Sequence, residues 1–155
     1  DLSADGKLCV YTLAATDILV DVTGFVPAEV DSVTALTPAR LFDSRAGEPV
    51  VGGVAPGPRL TASQVVEVPV HGRADIPATA TAAFFNVAVV NPDGPGYVSL
   101  FPCTEGGPST SNLNHATGGV VRANNAFTLL SPTGTVCVFT LSGADVIIDV
   151  TGYVE

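Results

Sequence analysis

Methionine and tryptophan are absent from this chain, and lysine occurs once, at Lys7. Charge of either sign is scarce, at 14% of residues, and it leans acidic: fifteen Asp and Glu against six Lys and Arg give a formal net charge of −9. A surface of that sign repels phosphate backbones and anionic headgroups, which argues against nucleic acid as a partner. No run of 18 apolar residues and no lipidation motif occurs, so no membrane insertion is expected. The chain holds only two histidines, His71 and His115, and no Gly-x-Ser-x-Gly elbow of the kind that exposes a nucleophilic serine. Drawing a site from Cys103 and His115, or from Ser109, His115 and an aspartate, has no motif behind it, and no catalytic residue is expected. The glycine-rich stretch at 52–57 runs into Pro58-Arg59 rather than Lys-Ser/Thr, so it is no phosphate loop. No cofactor is implied.

What the chain does have is apolar residues, at 46%, with sixteen glycines and twelve prolines spread between them. That hydrophobicity excludes disorder, and 155 residues suffice for a substantial core. No segment carries the i, i+3, i+4 spacing of an amphipathic helix. Apolar stretches recur instead about every ten residues, separated by turn residues such as Asn91-Pro92-Asp93-Gly94. The expected fold is all-β: an antiparallel β-sandwich or jelly-roll-like domain of about nine or ten strands. Candidate strands include Leu8–Leu13, Asp17–Val22, Gln64–Val70, Ala80–Val90, Tyr97–Phe101, Val120–Val121 and Ala126–Leu130. Pro69 should place the Gln64–Val70 strand at an edge or a bulge. The expected core contains Leu41, Phe84, Val87, Val89, Leu100, Leu113, Val138, Val146 and Ile148.

One stretch occurs twice. Residues 6–26 and 134–154 align without a gap at a constant offset of 128, and from Cys9 to Val26 ten of 18 positions are identical. Such a match is the signature of a repeat of about 128 residues. The expected organisation is a closing hairpin of a preceding repeat, or exchanged first strands, over 1–28, and a complete sandwich repeat over 29–155. In each copy the solid apolar block, Ile18-Leu19-Val20 or Val146-Ile147-Ile148, reads as a strand buried on both faces.

Pro38-Ala39-Arg40-Leu41-Phe42-Asp43-Ser44-Arg45, Phe85-Asn86-Val87, Gly96-Tyr97-Val98-Ser99-Leu100-Phe101-Pro102, Ser109-Thr110-Ser111-Asn112-Leu113-Asn114 and Asp149-Val150-Thr151-Gly152-Tyr153 follow one another in order. This series resembles a tandem repeat of large secreted actinobacterial cell-surface proteins, over nearly the whole chain. The resemblance implies a surface or accessory module that occurs beside peptidases or cell-wall hydrolases without being the enzyme. Low lysine, no methionine and Thr/Gly/Pro-rich strands also suit a secreted β-protein.

Three cysteines cannot all pair within one chain. The expected disulfide is Cys103–Cys137, since both lie in the complete unit; Cys9, the equivalent of Cys137, is the alternative partner of Cys103. Asp17 and Asp21 share a strand face, as do Asp145 and Asp149, but about 13 Å along a strand is too far to share an ion, and no metal is expected. Asp149 and Asp21 instead read as structural carboxylates, held within their own turns or by Arg40 or Arg45. A ligand groove could be drawn from Tyr97, Ser111, Asn112, Asn114, His115 and Asn124, although asparagines in such runs also serve turns. The functional expectation is an extracellular structural or adhesive repeat whose partners are neighbouring copies, head to tail in an array or fibre. The alternative is a carbohydrate- or cell-wall-binding module attached to a hydrolase, with polysaccharide as its partner.

Overall fold

The computed structural model describes residues 5–18, 32–51, 57–103, 106–108 and 110–155. The chain divides into two compact units, Asp1–Asp31 and Ser32–Glu155.

The second unit is a β-sandwich of eight strands in two antiparallel sheets, with no α-helix among the described residues. In chain order the strands are β1 (Val33–Asp43), β2 (Gln64–Pro69), β3 (Ala82–Val90), β4 (Gly96–Pro102), β5 (Leu113–His115), β6 (Val121–Leu129), β7 (Thr135–Thr140) and β8 (Asp145–Val154). One sheet has the order β1-β8-β3-β6, the other β2-β7-β4-β5. β7 and β8 are consecutive in the chain and lie in different sheets, each between two partners. They do not pair with each other, so the closing hairpin expected from the sequence crosses from one sheet to the other instead of forming a ladder of its own, and it stitches the sandwich together.

Sequence pattern explains the placements. Val146-Ile147-Ile148 is buried on both faces, as a solid apolar block in an interior strand should be. Along β3 the alternation turns Phe85, Val87 and Val89 into the core, while Phe84 on the other face is half-buried and packs on Phe127 with ring centroids 4.6 Å apart. Pro69 lies at the end of edge strand β2, where its missing N–H leaves no interior ladder unsatisfied. Pro38 falls on the other sheet's edge strand, where the register slips between Ala35 and Ala39. The core joins both sheets through Leu41, Val68, Val98, Leu113, Val136, Val138 and Ile148.

Two expectations are corrected. Among the described residues the sandwich has eight strands rather than nine or ten: the two short strands expected around Val121 and over Ala126–Leu130 are the ends of a single strand, β6, which runs from Val121 to Leu129. Its Ala123-Asn124-Asn125 centre pairs continuously with Ala88, Val87 and Asn86. Phe84 lies on the outer face of its sheet, half-buried against Phe127, rather than in the core.

In the first unit Leu8–Leu13 forms no strand, and Leu8, Val10, Tyr11 and Leu13 are exposed. A strand takes its backbone partners from neighbours. β7, of nearly the same sequence, finds them in β2 and β4. Of the expected second strand, Asp17 and Ile18 are described without strand structure, and its remainder, with Asp21, lies outside the described residues. No helix among the described residues is long and apolar enough to cross a membrane.

Candidate functional site

The densest chemistry lies where β1 leaves its sheet beside the start of β8. Arg40 sits opposite Asp149 in the β1–β8 register, and its Nε donates to Asp149 Oδ1 at 2.9 Å. Nη1 of the same guanidinium donates to Asp43 Oδ2 at 3.0 Å. Asp43 ends β1, 0% exposed, and also accepts the Arg45 backbone N–H, Nε and Nη2 at 3.0, 3.0 and 2.7 Å. Arg45 extends toward Glu48 at 3.7 Å.

Ser44 links this group to β8. Its hydroxyl donates to Asp145 Oδ1 at 3.0 Å and accepts the Val146 N–H at 2.8 Å. Asp145 in turn accepts Arg59 Nη1 at 3.0 Å through its other oxygen. Arg59 Nη2 then bridges Asp93 and the Asn91 carbonyl, both at 2.7 Å. The loop bearing Arg59, the turn after β3 and the start of β8 are thereby clamped by one arginine.

The electrostatics follow from these contacts. Burial pushes the Asp43 carboxyl up, but the Arg45 guanidinium and N–H, with Arg40, outweigh it and hold Asp43 below its ordinary range. The hydrogen bond to Asp149 raises Arg40 further above its already high value. Burial lowers Arg59, yet its bonds to Asp93 and Asp145 prevail and raise it. Arg73 is different: burial lowers it, and its guanidinium is held by the Val51 and Pro69 carbonyls at 2.7 to 3.2 Å.

Beside the cluster lies an open cavity of about 600 Å³, bounded by Ser44, Arg45, Gly57, Pro58, Arg59 and Asp145. Its arginines are already engaged by carboxylates and Ser44 is bonded on both sides, so the walls offer neither a free cation nor an activated hydroxyl. The arrangement is a brace that fixes the β1 exit against β8. Among the described residues no group of three or more His, Cys, Asp or Glu could hold a metal ion.

The structure joins Cys103 to Cys137, with Cα atoms 5.0 Å apart, so the loop after β4 is tied to β7 in the same sheet. Cys9 is a free, exposed thiol. Asp149 lies within β8 and bonds across to Arg40 rather than within its own turn, because its side chain projects from mid-strand toward the neighbouring β1. Arg45 serves Asp43, not Asp149.

Of the residues drawn together as a groove, four meet in two pairs, Tyr97 with Asn114 and Asn112 with Asn124, and His115 does not join them. Tyr97 and Asn114 are cross-strand partners on β4 and β5, and the Tyr97 ring leans on Phe139 at 5.6 Å. Asn112 holds the approach to β5: its Oδ1 accepts the Leu100 N–H at 2.6 Å and its carbonyl accepts Asn124 Nδ2 at 2.7 Å. Ser111 is exposed. His115 faces the opposite way, because side chains alternate along a strand. It is 5% exposed, and neither ring nitrogen has a hydrogen-bond partner among the described residues. Its ring packs against Gly96, where an added Cβ would lie 3.1 Å from Cε1.

Sequence reasoning missed Arg59 and Arg73. The available signal was weak but physical: an arginine isolated among prolines and glycines, in a chain with six cations, has to find a partner. No family model matches the chain, and no curated protein matches it.

Proposed function

We propose that this chain is an extracellular structural or adhesive repeat module, working in an array of like units, as its resemblance to repeats of secreted actinobacterial surface proteins implies. One observation carries the reading. The stretch that supplies an interior strand to each sheet, β7–β8, has a gapless homologous copy in the same chain, identical at ten of 18 positions from Cys9 to Val26. A self-contained ligand-binding domain has no use for a duplicate of its own centre; a repeating architecture does.

Two further features support it. The Cys103–Cys137 disulfide suits an oxidising compartment outside the cell. The charged residues around β1 and β8 are turned on one another, which favours rigidity over chemistry. In this reading the module catalyses nothing, and its partners are neighbouring copies arranged head to tail.

The purified, oxidised chain should be examined by electron microscopy for ordered assemblies and assayed for adsorption to insoluble cell-wall polysaccharide. Assembly without saturable adsorption is the expected result. Saturable adsorption abolished by Tyr97→Ala would instead make it a carbohydrate-binding module, with the Tyr97–Asn114 pair as the contact surface.

A further inference from the structure

We infer that residues 6–26 and residues 134–154 are interchangeable occupants of one slot, the gap between β2 and β4 and between β1 and β3. This deepens the array reading and rests on it. The argument begins with burial. Val136, Val138 and Val146 are 0% exposed in the slot, whereas Leu8, Val10 and Ile18, at the same positions of the other copy, are 62%, 54% and 48% exposed. Over residues 8–18 the first copy thus leaves exposed the apolar positions that the second copy buries. Nothing in its sequence suits it to a surface: from Cys9 to Val26 ten of 18 residues are those of the buried copy.

The slot specifies what it accepts. It needs apolar residues where Val136 and Val138 sit, a cysteine facing Cys103 and a carboxylate facing Arg40. The first copy offers Leu8, Val10, Cys9 and Asp21 at those positions. No other stretch of the chain matches this set in order.

The connection is also short enough. Val154 at the end of β8 pairs with Val33 at the start of β1. Val26, the equivalent of Val154, precedes Val33 by only six intervening residues, 27–32. A loop of that length closes an antiparallel pair routinely. With the first copy seated, the unit would run from the hairpin through β1 to β6 as a permuted sandwich. The hairpin 134–154 would then be released, and the site that fits it is the same slot in a second copy of this chain. Repetition of that heterologous step makes an open, head-to-tail series.

In the structure the second copy holds the slot, secured by Cys103–Cys137. Both copies are tethered to the same framework, so the covalent bond decides between otherwise similar competitors.

The test uses the full chain carrying Cys137→Ser, which removes the bond but keeps the hairpin. Oxidation traps whichever population brings a thiol to Cys103. The expected result is a Cys9–Cys103 disulfide by non-reducing peptide mapping, within one chain or between two. Val10→Asp added to Cys137→Ser should slow that bond about tenfold or more, because the slot would have to bury an unpaired carboxylate. Val10→Asp alone should leave the folded unit unaltered, since Val10 is exposed while the second copy is seated. A Cys103 thiol that stays free, or a Cys9–Cys103 bond that forms equally fast with Val10→Asp, overturns the inference. Either failure would leave the assembly and adsorption results standing on their own.

Discussion

Arg40 and Asp149 meet across the β1–β8 ladder, Nε to Oδ1 at 2.9 Å, although 109 residues separate them in the chain. The same guanidinium reaches Asp43, which is wholly buried and accepts further bonds from Arg45. The module's most charged segment is therefore its most internally committed one, and it lies against the strand that closes the fold.

Removal of the carboxylate at the centre should be costly. Asp43→Ala leaves Arg40 and Arg45 without their shared anion, and since both arginines are about a third exposed and Arg40 keeps Asp149, we expect a loss of about 1–3 kcal/mol in urea-induced unfolding. A loss below about 1 kcal/mol would show the brace to be incidental.

The same residue sets an acid limit. Asp43 titrates lower in the folded chain than its ordinary 3.8, so the folded state binds fewer protons there. Its contribution is complete above about pH 4 and declines as pH falls through the depressed folded value. Stability measured between pH 5 and pH 2 should therefore fall less steeply for Asp43→Asn than for the parent chain. Parallel curves would contradict the assignment.

Truncation of Ile148 to Ala should cost about 2–5 kcal/mol, since the side chain is fully buried in interior strand β8. A change near zero would mean that the β8 position is misplaced.

Gly152 tests the ladder more finely. A Cβ there would stand 2.8 Å from the Thr34 carbonyl oxygen, a backbone atom that cannot swing aside. Gly152→Ala should destabilise by about 1–3 kcal/mol, readable as a lower Tm. An unchanged Tm would show that β1 yields at its bulge.

Much of the fold was legible because the closing hairpin holds two β-branched and apolar runs, Thr135–Leu141 and Val146–Ile148, and because Gly and Pro punctuate the remainder. β6 was legible only at its ends. Asn124 and Asn125 read as loop residues, yet an edge strand tolerates polar side chains on both faces, and pairing with β3 carries the strand through them. Leu8–Leu13 misled for the opposite reason: its pattern is that of a strand, but pattern supplies no backbone partner. Within the site, Asp43, Arg40 and Arg45 drew attention by their proximity in sequence. The links from Arg59 to Asp93 and Asp145 span 34 and 86 residues and could be seen only after folding.

The claim that matters most is that this sandwich works outside the cell as one unit of a repeated surface layer. An antibody raised against residues 32–155 should be applied to intact, unpermeabilised source cells and followed by immunogold electron microscopy. The account predicts dense labelling on the outer surface, at regular spacing where the array is ordered. Labelling confined to the interior, seen only after permeabilisation, would contradict it.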